Sequence, residues 1–249
     1  FASVVFQPKL PDEIGVNISW KSLKKYNDFF RKIISEEYGL PIKEKYKKNF
    51  SGKVYFKENE EVKVLPARIR ITGDLKDHID YEKGITSLKI KLLKGNLGHI
   101  VRFRVLIPGT KNFYDEIFWS SLIEALGYPS LYKKIIKVNL NGIVTQNFLF
   151  EEIPSKEFLE RFKFRESPII EADERLFWKI NYEFRKKCIN MLLNTVVISQ
   201  KKNCMKNIKA DDYVSWKVDN KAFIKNETAA LIAFKSLYKI YNEEDHFKE

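Results

Sequence analysis

The stretches RIRITGD (68–74), SLKIKL (87–92) and VRFRVL (101–106) alternate apolar and polar residues with a period of two, as strands buried on one face do. Each carries a basic pair in one phase: Arg68 with Arg70, Lys89 with Lys91, and Arg102 with Arg104. Because side chains alternate across a strand, alignment of the three would give one basic face opposite an apolar layer. Such a face could hold phosphates. Its plainer reading is the solvated side of an antiparallel sheet.

Outward from these strands, Val54 with Phe56 and Val62 with Val64 show the same alternation. A helix is predicted before them, from Ser22 through a stripe of Leu23, Tyr26, Phe30, Ile33 and Ile34, with Gly39 and Pro41 to stop it. After them, Phe113 to Leu126 reads as a helix with Ile117, Phe118, Ser121, Leu122 and Ala125 on one face and Gly127 to close it. Asn141-Gly142 between two apolar runs signals a hairpin, because its central positions must accept positive φ. All ten glycines fall at or before Gly142, and the last proline is Pro168. The remainder therefore reads as helical, with a mostly buried helix from Asp173 through Leu176, Phe184 and Cys188 to Val196, and a second from Phe223 to Tyr241.

Composition narrows the function classes. With 44 % hydrophobic and 14 % aromatic residues, the 249-residue chain can bury enough surface to fold. Its net charge of +12 invites nucleic acid, but only nine of the 45 basic residues are Arg, and a sequence-specific DNA reader is not supported. Cys188, Cys204 and three histidines do not make a zinc centre, and the cluster Asp74, Asp77, His78 and Asp80 reads as a polar turn, so no metal ligand is assigned. Cys188, on an apolar stripe, reads as a core cysteine. No apolar run approaches the ~20 residues of a membrane span, and targeting signals are not legible from Phe1 onward.

The corner RIRITGD with the following basic strand, then Phe103 to Thr110, the helix ending at Leu126-Gly127, the run Val138 to Gly142, and Leu149-Phe150-Glu151-Glu152 occur in one order. That ordered set resembles the spore-coat CotH-like atypical protein kinases, over roughly 65–175. Many members of that family carry a Lys-Lys pair just before the basic strand, where Ile85-Thr86 stands here.

The resemblance implies an α+β, kinase-like two-lobed fold: an antiparallel or mixed sheet lobe with a packed helix, followed by a helical lobe. Residues 1–150 would be the sheet-bearing region, 151–154 a hinge, and 155–249 an incomplete large lobe. It implies nucleotide binding and ATP-dependent phosphorylation of a protein, with ATP and magnesium as cofactors. In that scheme Lys89 or Lys91, with Arg70, meets the phosphates; Glu116 or Glu124 orients the lysine; Glu152 and Ile153 line the adenine edge through backbone groups. The family's catalytic segment has no counterpart after Tyr241, and the acidic clusters Asp211-Asp212 and Glu243 to Asp245 read as solvated loops, so this chain alone is expected to transfer no phosphate. The family permits a secreted or cell-surface setting. The alternative is a catalytically silent interaction module whose basic sheet face docks an acidic partner or surface.

Overall fold

The computed structural model describes residues 7–36, 40–107, 109–110, 112–194 and 215–242. Cys204, Asp211-Asp212 and Glu243 to Asp245 lie outside the described residues. The strands are β1 (Glu13–Ile18), β2 (Asn49–Glu58), β3 (Glu61–Ile71), β4 (Ile79–Asp80), β5 (Ile85–Thr86), β6 (Leu88–Leu92), β7 (Arg102–Leu106), β8 (Lys133–Leu140), β9 (Val144–Glu152), β10 (Ile170–Asp173) and β11 (Ser215–Val218). The helices are α1 (Trp20–Ser35), α2 (Phe113–Ala125), α3 (Lys156–Arg161), α4 (Arg175–Asn194), α5 (Lys221–Ile224) and α6 (Glu227–Asn242).

Seven strands close into a barrel in the order β1-β2-β3-β6-β7-β9-β8. Neighbours are antiparallel except at the seam, where β1 runs parallel to β8 with Glu13 opposite Lys137 and Val16 opposite Leu140. Alternation fills the interior: Ile14 and Val16, Phe50 and Val54, Ile69 and Ile71, Leu88 and Ile90, Phe103 and Val105, Ile136 and Val138, and Phe148 and Phe150 are all buried. The Phe103 and Phe150 rings stack at a centroid distance of 4.7 Å. At the β1–β2 contact, a Cβ on Gly52 would lie 2.4 Å from the Asn17 carbonyl oxygen and 2.3 Å from Ile69 Cδ1. Only glycine fits there. Gly52→Ala is expected to cost about 1–3 kcal/mol, as other overpacked core sites do, and urea unfolding would show it as a lowered midpoint with an unchanged slope.

This architecture overturns the two-lobed, kinase-like expectation. Among the described residues 35 % are helical and 34 % strand, and the main sheet is a closed barrel with no separate helical lobe described behind it. Two causes are visible. The parallel pairing of β1 with β8 leaves the seven-stranded sheet without an open edge, so it wraps a single core. Beyond Glu152, the described residues add no member to that core, whose last one is Phe150. The helix from 175 is likewise not mostly buried, since Leu176 and Phe184 are exposed while Asn181 and Cys188 are buried. The segment 223–241 is divided into α5 and α6.

The local signals stand closer to the structure. Helix α1 rests on the barrel through buried Tyr26 and Ile33, and the Tyr26 hydroxyl lies 3.1 Å from Thr86 Oγ1. At the end of α2, Gly127 takes φ 83° while its N–H donates to the Glu124 carbonyl and the Tyr128 N–H to the Ile123 carbonyl. Phe118 on that helix is exposed, against the face assigned to it by periodicity. Asn141 and Gly142 hold φ of 53° and 72° at the β8–β9 turn, and Asn141 Oδ1 accepts a 2.8 Å bond from the Ile18 N–H.

Candidate functional site

The register puts the six predicted cations on one outer face of the barrel. Arg68 lies opposite Lys91 and Arg70 opposite Lys89; Lys89 in turn lies opposite Arg104, and Lys91 opposite Arg102. Their neighbours Ile69, Ile90 and Phe103 point inward, which forces this outcome once the strands align. The row through Arg70, Lys89 and Arg104 continues to Glu151 on β9 and Lys133 on β8. It becomes an alternating charge ladder at that end: Arg104 Nη1 donates to Glu151 Oε1 at 2.6 Å, Lys133 Nζ lies 3.6 Å from Glu151 Oε2, and Lys133 also bonds Glu116 of α2.

Glu116 therefore meets Lys133, and the described salt bridges include none from Lys89 or Lys91 to α2. Glu124 accepts from Gln7. The strand lysine that Glu116 meets is thus Lys133 of β8, not Lys89 or Lys91 of β6. Of the backbone groups of Glu152 and Ile153, both N–H groups are engaged within the fold. The Glu152 N–H donates to the Tyr132 carbonyl and the Ile153 N–H to the Arg102 carbonyl, both at 2.9 Å, so neither N–H is open to a base.

The Glu152 side chain is buried against Arg161 of α3, and its Oε2 also accepts from the Tyr132 N–H at 3.1 Å. Burial pushes its carboxyl up to about 7, with Arg161 and Tyr132 pulling it part of the way back. A carboxyl raised on folding binds its proton more tightly in the folded chain. Its stabilising contribution is therefore full below the ordinary value near 4.5 and is lost as pH rises through about 7. Urea midpoints at pH 5 and pH 8 check this: the wild type should lose stability toward pH 8, and Glu152→Gln should flatten the difference.

Opposite the basic face stands the antiparallel ribbon of β10 and β11, with Glu171 paired to Lys217 and Asp173 to Ser215. Asp219, one residue past β11, binds Arg102 Nη1 at 2.7 Å and pins the ribbon end to the barrel. Burial opposes its ionisation, but the Arg102 bond, with Lys89 and Lys217 nearby, holds its carboxyl below the ordinary range. At the ribbon's other end the bonds from Arg175 bring Asp173 down to about 2. Between barrel, ribbon and α4 lies a cleft of about 1070 Å³, the scale of a small-molecule site. Arg70, Lys89 and Arg104 form one wall, and Trp178 and Tyr182 of α4 offer aromatic surface on the other.

Two features fit this cleft to an anion. The Nε–H groups of Arg70 and Arg104 are buried without a hydrogen-bond partner. Lys89, half-buried between them, has its amine brought down to about 8 by burial and by the Arg104 and Arg102 charges, with Asp219 and Glu171 pulling the other way. Gly73, at φ 102°, shapes the rim of the cleft where a Cβ would strike the His78 ring. Asp74 is engaged by buried Lys47 at 2.6 Å, and His78 Nδ1 lies 3.0 Å from Ser87 Oγ. No group of three or more His, Cys, Asp or Glu side chains is disposed around a common metal position among the described residues. No helix among them is long and apolar enough to cross a membrane.

Sequence reasoning missed the ribbon and Asp219. The signal was faint: Trp216 and Val218 alternate with Lys217 over only four residues, and the partner strand lies more than forty residues earlier. Compared with protein-family models and with curated proteins, the chain matches none.

Proposed function

We propose that the cleft binds a nucleoside triphosphate, ATP first, with its phosphates on Arg70, Lys89 and Arg104. One observation carries the reading: Arg70 and Arg104 line the cleft, and although their Nη groups reach Glu44 at 3.4 Å and Glu151 at 2.6 Å, the buried Nε–H of each has no partner, which is costly unless an acceptor is found. Phosphate oxygens are such acceptors, and the planar fork of Arg suits them. Trp178 and Tyr182 give the base a surface to stack on. The resemblance of 65–175 to the CotH-like kinases supplies ATP as the first ligand to try; phosphorylation of a protein is that family's reaction, and this chain alone is expected not to perform it. The reading rests on the cleft and not on lobes. Magnesium enters as the companion of the nucleotide's phosphates, which it neutralises.

A small anion is favoured over a broad acidic partner because the ribbon already covers part of the basic face, with Asp219 on Arg102. Titration calorimetry at about 0.15 M salt with AMP, ADP and ATP, each with and without magnesium, tests this. Affinity should rise with each phosphate. Equal affinity for all three, or none at millimolar ATP, would overturn the reading.

A further inference from the structure

Lys89 has a setting unlike that of Lys91, two residues along the same strand and on the same face. Lys91 is exposed, whereas Lys89 is half-buried on the cleft wall with its cross-strand neighbours both cationic, Arg70 on β3 and Arg104 on β7. Arg102 of β7, Glu171 of β10 and Asp219 after β11 also act on its charge, and Glu44, Lys47, Asp74, Asp173 and Lys217 line the same cleft. We propose that Lys89 is a nucleophilic amine that captures phosphorylated aldehydes as an imine, their phosphate held by Arg70 and Arg104. This rests on the same phosphate seat as the nucleotide reading, but adds a covalent step that nucleotide binding does not need.

An amine attacks a carbonyl only through its unprotonated lone pair. Burial among cations favours that form at mildly alkaline pH, where an exposed lysine remains charged. In the step, the nitrogen lone pair bonds the carbonyl carbon and a carbinolamine forms. The amine's two hydrogens then leave with the carbonyl oxygen as water, and a C=N bond remains. Nothing is oxidised or reduced. Arg70 and Arg104, the cross-strand neighbours of Lys89, offer guanidinium donors on the same cleft wall, so the aldehyde is delivered phosphate first.

Pyridoxal 5′-phosphate is the probe, with borohydride to reduce the imine and peptide mass mapping to locate it. At pH 8 and one equivalent, label on Lys89 should exceed that on Lys91 by about tenfold or more, with a midpoint in pH near 8. Pyridoxal without its phosphate should label Lys89 at least about tenfold less, the size of one lost charge-assisted bond. Label distributed over exposed lysines in proportion to their exposure, a midpoint above 10, or equal labelling by the two aldehydes would overturn the proposal. The mapping uses the wild-type chain, so it does not depend on a variant folding. Repeating it with ATP separates the two readings. Specific labelling that ATP does not block would remove the nucleotide and leave the amine, whereas ATP binding without specific labelling would do the reverse.

Discussion

Arg161→Ala is expected to lower the free energy of unfolding by about 3–5 kcal/mol, the range for removing one partner of a buried ion pair. Arg161 and Glu152 are 3 % and 2 % exposed, so the substitution leaves a carboxylate that water cannot reach. The loss should be smaller at pH 5 than at pH 8, because a proton can take the place of the missing guanidinium on a carboxyl already raised to about 7. Arg161→Met combined with Glu152→Leu should recover most of the stability, since a well-filled apolar pair avoids desolvating both charges. Urea unfolding of the two variants at both pH values measures each part. A loss below about 1 kcal/mol at pH 8 would mean that α3 does not hold the end of β9 through this pair.

The second large effect concerns the cleft. Lys89→Ala and Arg70→Ala should each weaken ATP about 10- to 100-fold, the equivalent of one charge-assisted hydrogen bond, and the double variant by more than either. Lys91→Ala, exposed on the same strand, should change affinity less than about threefold, as an exposed surface charge does. Arg104 is a poorer test because its partner at 2.6 Å, Glu151, is buried, whereas the Glu44 partner of Arg70 is exposed and 3.4 Å away, so removing Arg104 would disturb the ladder as well as the ligand. Equal losses at Lys89 and Lys91 would indicate attraction by the whole basic face instead of a seat within it.

The basic face could be read in the sequence because it depends on phase alone: three short strands, each with cations at i and i+2, can align only with those cations together. The β8–β9 hairpin was legible for a similar local reason, the positive φ at Asn141 and Gly142. Val62 and Val64 were not. They share a phase with Arg68 and Arg70, so once Ile69 and Ile71 turn inward both valines are left outside and exposed. Pro66 sits where β3 is paired to β2 but not yet to β6, an edge-like position that a strand proline tolerates. Of the predicted site, Arg70 and Lys89 meet in the cleft. Glu116, Glu124, Glu152 and Ile153 have other partners, because those partners come from β7, β8 and segments whose approach leaves no periodic trace. Barrel closure was equally invisible. EIGVNI (13–18) is a short alternating run whose parallel partner is set by curvature accumulated over the whole sheet.

That parallel seam also orders events in time. Residues 13–16 find their partners at 137–140, about 120 positions later, so on a ribosome adding about 5–20 residues per second β1 waits several seconds for β8 to emerge. Until then its only sheet neighbour is β2, and its other flank is an unsatisfied template. Hairpins β2–β3 and β8–β9 need only local loops and can form early, whereas closing the ring requires the longest loop in the sheet. The nascent barrel thus passes through an open form with two sticky margins, and its safe passage depends on how quickly the last strand arrives.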